Sequence, residues 1–312
     1  MGGGCPSGCS PPTGTQNSKE IALDFSIDIW LQAIANGLAL GWLYVLMALG
    51  LTLMLSIMGI LQLAHGEVYM FSAYLVFTLL DSYNFNLYLA MFTITIFMGI
   101  IGLFLERVLF RSRPNRDPVL NSIVIAIGLT LILTSAAVVV FGLYQKSLPR
   151  LLYGSFEIFG GGVPKDRFLA IAFSLAAFLF LYLFLKKTRW GQAMTASAQN
   201  REGSFLKGIN PNQMSMLAVA IGCALAGLAG GLGGAILQIT PYMGSIVMIK
   251  GLVIIVLGGL GSIPGALAGG MILGLIDGVV PVIFGSAVAA VAPMIIVIAV
   301  LLLRPRGIFG HD

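Results

Sequence analysis

Charge is what this 312-residue chain has least of. Asp, Glu, Lys and Arg together make up 9% of it and hydrophobic residues 58%, whereas a soluble domain carries about 25% charged residues. That balance excludes a soluble globular domain. Histidine is scarce too: two residues leave little room for a zinc site. The sequence holds neither a Gly-rich phosphate loop ending in Gly-Lys-Ser/Thr nor a Gly-x-Ser-x-Gly nucleophile elbow. No catalytic constellation and no cofactor site is therefore expected on this chain. The short alternating segments of a membrane β-barrel are also missing. Of the 3 cysteines, Cys5 and Cys9 could pair or share a metal, but no second ligand pair accompanies them, and Cys223 reads as packing in an apolar run.

What is present is a succession of apolar runs, many of 18 residues or more, the mark of a polytopic helical membrane protein. The expected fold class is all-α, with eight or nine transmembrane helices, some broken or re-entrant. Residues 1–29 read as a disordered tail without a secretory signal, 30–303 as the membrane domain and 304–312 as a short C-terminus. Trp30–Leu63 is too long for one crossing at about 20 residues; it is either a tilted helix or a helix broken near Gly59. Most of the 17 Lys and Arg fall in Glu106–Asp117, in Lys186–Asn212 and at the C-terminus. The positive-inside rule places these in the cytoplasm and explains the +5 net charge without a nucleic-acid partner.

Two ladders of small residues stand out: Gly222, Ala226, Gly230 and Gly234, and Ala266, Gly270, Gly274 and Gly278. A four-residue repeat puts each set on one helix face, where backbones approach closely, either within the bundle or at a subunit contact. Two breaks interrupt the apolar blocks. The first, Gln62–Glu67, contains His65, Gly66 and Glu67. Ionisable groups at bilayer depth tend to face an interior path, so this is either a gate or path lining, or a cytoplasmic turn with Glu67 at a helix N-terminus. The second, Leu257–Gly265, contains Gly258, Gly259, Gly261 and Pro264, the last opening the next helix. Matching broken segments in two halves are a transporter pattern. Lys250 is read as snorkelling to an interface, and no partner for Asp277 can be named.

Four stretches carry a resemblance to the permease family of bacterial ABC importers for branched-chain amino acids. They are Asn36–Thr52 (NGLALGWLYVLMALGLT), Leu63–Tyr74 (LAHGEVYMFSAY), Trp190–Asn210, and Val256–Gly269 (VLGGLGSIPGALAG). Gln192 and Thr195 stand where that family usually has basic residues, Gly203-Ser204 replace an Ala pair, and Leu63 and Ser72 replace Phe and Gly. The resemblance implies a non-enzymatic permease in the bacterial inner membrane, its C-terminus cytoplasmic. It further implies pairing with a second related permease subunit, two cytoplasmic ABC ATPases and a periplasmic or extracellular solute-binding protein. It also implies that Ala193, Ala196, Ala198, Gln199, Asn200 and Gly208 couple the chain to an ATPase. Two alternatives stand beside this: the same importer carrying urea or short amides, or a self-sufficient secondary transporter with His65 and Glu67 as a proton-linked site.

Overall fold

The computed structural model describes residues 14–110, 118–158, 161–304 and 307–309. Cys5, Cys9 and the basic residues Arg111, Arg113, Arg116 and Arg306 lie outside them. Because lipid offers the backbone no hydrogen bonds, the apolar runs close their own as helices. In chain order these are α1 (Gly14–Met58), α2 (His65–Tyr83), α3 (Leu87–Leu105), α4 (Pro118–Phe141), α5 (Lys165–Lys187), α6 (Arg189–Gln199), α7 (Arg201–Leu206), α8 (Pro211–Ile236), α9 (Met243–Gly258) and α10 (Ile263–Leu303). A π-helical turn, Glu106–Phe110, extends α3, and a hairpin of β1 (Ser155–Ile158) and β2 (Gly161–Pro164) precedes α5. Six segments are long and apolar enough to cross a bilayer: Ile29–Met58, Leu87–Leu109, Leu120–Phe141, Lys165–Lys187, Pro211–Ile236 and Ile263–Gly285. Met243–Gly258 and Ala287–Val300 are apolar but shorter. The chain is a polytopic all-α membrane protein. Helix α1 begins at Gly14, and its apolar span opens at Ile29.

The chain turns where its sequence supplies caps. Asn86, Thr188, Asn200, Asn210 and Ser262 each accept a backbone N–H at the start of the following helix. Helix α10 is not one rod. Its 41 residues would reach about 60 Å if straight, yet Gly307, just past its end, packs against Gly259, just before its start. The path reverses at Gly285, whose φ of 81° breaks the helix. The returning tail then donates from Ile308 N to Leu257 O at 2.9 Å and from Phe309 N to Gly258 O at 3.1 Å, satisfying the last carbonyls of α9.

Helix α1 lies at the centre: 78% of its most apolar window is buried, against 11% for α4. The small-residue ladders explain how. On α10, Gly270 faces Val45, Gly274 faces Gly41 and Gly37, and Gly278 faces Gly37 and Ala33. The matching stripe Ala33, Gly37, Gly41 and Val45 belongs to α1, so backbone meets backbone along this pair. On α8, Gly222 sits against Gly50 and Met54 of α1, Gly230 against Tyr69 and Ser72 of α2, and Gly234 against Ala73; Ala226 and Ala266 are buried in the same rows. Both ladders pack within the chain.

A side chain on Gly274 has nowhere to go, since a Cβ there overlaps the Gly41 backbone, whereas one on Gly128 of α4 meets nothing within 4 Å. Gly274→Val is expected to destabilise the detergent-solubilised protein by about 1–3 kcal/mol or more, the usual cost of overpacking, while Gly128→Ala leaves it unchanged. Thermal unfolding followed by size-exclusion chromatography compares the two.

Candidate translocation and coupling elements

The first polar break is a re-entrant turn. Helix α1 ends at Met58, and Gly59, at φ 65°, lets the chain reverse. His65, which opens α2, does not lie beside that end. It lies beside Gly50, where an added Cβ would stand 2.7 Å from His65 Nε2. Eight residues of helix separate Gly50 from Met58, so 59–64 climbs back along α1 by about 12 Å. The turn therefore carries its polar groups into the bundle: Gln62, His65 and Glu67 are all buried.

Helix N-termini explain why a carboxylate is tolerated there. Glu67 sits in the first turn of α2, and Ser245, in the first turn of α9, donates to its Oε1 at 3.2 Å. Two positive helix ends thus converge on one carboxyl group. They come this close because Gly66 and Gly244 have no side chains: a Cβ on Gly66 overlaps the Gly244 carbonyl and stands 2.7 Å from Met248 Cβ. His65 faces the Met47 carbonyl. Gln62 and His65 are both buried without hydrogen-bond partners on their side chains among the described residues, an arrangement that costs about 1–3 kcal/mol for a buried group.

The second break lies elsewhere. Gly258 packs directly on Gly265, Gly259 (φ 99°) and Gly261 (φ 83°) make the turn, and Pro264 stands at the start of α10 behind the Ser262 cap. Ser56 Oγ, at the end of α1, donates to Gly261 O at 3.2 Å. Gly66 touches the first residues of α9 while Gly258 is its last, so the helix keeps the two breaks about 21 Å apart. They do not form one site.

A third polar group escaped the sequence reading. Lys250 of α9 does not snorkel: its ammonium pairs with Asp277 Oδ2 of α10 and donates to Tyr44 Oη of α1 at 2.7 Å, while Tyr44 donates to the same Asp277 oxygen at 2.7 Å. Three helices are joined by this triad. Only the chemistry of an unpaired Asp inside an apolar helix could have signalled it; 27 residues and a turn separate it from the lysine.

The polar interval Lys186–Asn212 folds into two short helices lying across the ends of α5 and α8. Helix α6 turns Gly191, Met194 and Ser197 inward, with Gly191 against the Phe184 carbonyl. Ala193 and Ala196 are half-buried, and Ala198, Gln199, Asn200 and Gly208 are exposed. Asn200 also caps α7, accepting from Gly203 N at 2.8 Å, and Gly208, at φ 80°, ends that helix. Gln192 donates to the Lys186 carbonyl at 3.1 Å, which gives the departure from a basic residue there a local role. Lys186, Lys187, Arg189, Arg201 and Lys207 all face outward. So do Phe205 (66% exposed) and Leu206 (86%), a pair that no sequence pattern singles out.

The two glycines of the first break make opposite demands. Gly66→Ala is expected to part α2 from α9 and destabilise the fold by about 1–3 kcal/mol. Gly59→Asn is expected to be tolerated, because Asn adopts positive φ and nothing lies within 4 Å of that position. Paired melting curves of the two purified variants check this.

Comparison with known proteins agrees with this layout. The family described as branched-chain amino acid transport system / permease component matches residues 33–304. The high-affinity branched-chain amino acid transport system permease protein BraD of Pseudomonas aeruginosa is 35% identical over 90% of this chain and 96% of its own length. The corresponding LivH permease protein of Escherichia coli is 32% identical over 90% and 96%. A probable LivH permease protein of Methanocaldococcus jannaschii is 31% identical over 86% and 89%. No solved structure matches. With a family match from the middle of the central helix to the end of the last one, the chain belongs to the permease components of branched-chain amino acid transport systems.

Proposed function

We propose that this chain is the membrane-spanning subunit of an ATP-driven importer for branched-chain or other neutral amino acids. In this reading it pairs with a second related permease, two cytoplasmic ABC ATPases and an extracytoplasmic solute-binding protein, sits in the bacterial inner membrane with its C-terminus in the cytoplasm, and hydrolyses nothing itself. The observation that carries the reading is the family match across 33–304, together with curated relatives matched over nearly their whole length. Urea or a short amide as cargo remains the alternative that competition uptake with leucine, urea and alanine separates.

The α6–α7 element is the proposed ATPase contact. Its inward face is held by α5 and α8, its outward face is basic, and its most exposed apolar side chains are Phe205 and Leu206. Exposed apolar groups on a polar loop suit a pocket in a soluble partner. Ala193, Ala196 and Ala198 keep α6 slim enough to lie in a groove. Asn200 and Gly208 act by shaping α7. ATP-driven closure of the ATPases would then pull on α5 and α8 through this element, and α8 carries the motion to α1 and α2 through Gly222, Gly230 and Gly234.

Leu206→Asp is expected to abolish co-purification of the ATPase subunits while leaving the permease's melting temperature unchanged, since the side chain it replaces is 86% exposed. Unchanged ATPase recovery would sink the docking assignment. The transport reading is tested with the reconstituted complex in proteoliposomes: leucine uptake that needs ATP, the ATPases and the binding protein is expected. Uptake by the isolated chain under a pH gradient alone would instead favour a secondary transporter built on His65 and Glu67.

A further inference from the structure

The triad of Lys250, Asp277 and Tyr44 does more than join helices, because it opens onto space. It lines a cavity of about 470 Å³ whose other walls include Leu40, Met243, Ile246 and Val247. Asp277 also lines a neighbouring cavity of about 400 Å³, together with Gln32, Asn36 and Arg167. The Arg167 guanidinium is oriented there with Nε and Nη1 lacking hydrogen-bond partners among the described residues. A larger cavity of about 590 Å³ between α3, α5 and α8 has no charged residue in its lining. Charge and apolar surface are therefore brought together at the triad and not there.

Resting on the amino acid importer reading above, we propose that Lys250 and Asp277 form a binding station for the charged head of a zwitterionic amino acid on its way through this chain, with Leu40, Met243, Ile246 and Val247 receiving its apolar side chain. The physical requirement is compensation. A zwitterion leaving water for a low-dielectric interior needs a partner for each of its charges. A preformed ion pair meets that need: as the ligand enters, the pair opens, Lys250 takes the carboxylate and Asp277 takes the ammonium. No charge is left unpaired at any stage, because one ion pair becomes two. Tyr44, which donates to Asp277 and accepts from Lys250, holds both groups at the cavity wall. Arg167 in the adjoining cavity supplies an earlier contact for the carboxylate. A neutral amide such as urea brings no charges to split the pair and gains nothing from it.

A structural pin between α1, α9 and α10 is the competing role, and a double variant separates the two. Replacing a buried ion pair by apolar residues of similar volume is often neutral or stabilising, so Lys250→Met with Asp277→Leu keeps a structural joint but removes the station. In the reconstituted importer, that variant is expected to assemble with its ATPases and melt as the wild type does, yet to lose leucine uptake by about a hundredfold or more. Leucine uptake at the wild-type rate would overturn the station while leaving the importer reading intact; failure of the wild-type importer to carry any neutral amino acid would overturn the importer reading itself. Should the double variant not assemble, the wild-type complex still decides. Irradiation with photo-leucine, the diazirine analogue, is expected to label Met243, Ile246 or Val247, with labelling competed by leucine and not by 4-methylpentanoate, which lacks the ammonium. Labelling confined to other segments, or equal competition by the two, would overturn the station.

Discussion

The absence of water sets the terms on which these helices associate. Apolar side chains gain nothing by leaving lipid for one another, so cohesion comes from contact distance. The contact of Gly274 with Gly41, and of Gly278 with Gly37, brings α10 onto α1 at backbone range. Helix α8 reaches α1 and α2 by the same means. Everything else depends on this closeness: Tyr44, Lys250 and Asp277 meet because α1 and α10 are too near for an intervening layer of side chains, and Glu67 meets Ser245 because Gly66 and Gly244 let two helix ends touch.

Helix α9 is the element on which the polar chemistry converges. Its start faces α2 and the buried Glu67, its middle presents Lys250 to α1 and α10, and its end is closed by the returning C-terminal segment. At 16 residues it is short, and its first turn abuts Gly66 and the buried Glu67 inside the protein. A helix placed this way supplies positive potential to the interior without burying a further cation.

The sequence was most readable where period or polarity stood against the apolar background. The ladders at 222–234 and 266–278 have a four-residue spacing that survives in any environment, and Gln62–Glu67 is conspicuous in a chain with 9% charge. Pairings between helices were not readable. Lys250 alone fits snorkelling, and its pairing with Asp277 depends on the phase and crossing of two helices joined by the Gly259–Gly261 turn, which no local pattern reports. Similarly, Phe205 and Leu206 are ordinary apolar residues in sequence; only the turn at Gly208 and the cap at Asn200 decide that they face outward.

The returning segment at 307–309 bears on how the molecule is made. A nascent chain enters the membrane from its N-terminus, so α9 is synthesised and inserted with the carbonyls of Leu257 and Gly258 still open. Their donors, Ile308 and Phe309, follow only after the whole of α10. That end of α9 is thus completed only once all of α10 has been made, and a chain stopped short of Ile308 leaves both carbonyls without these donors.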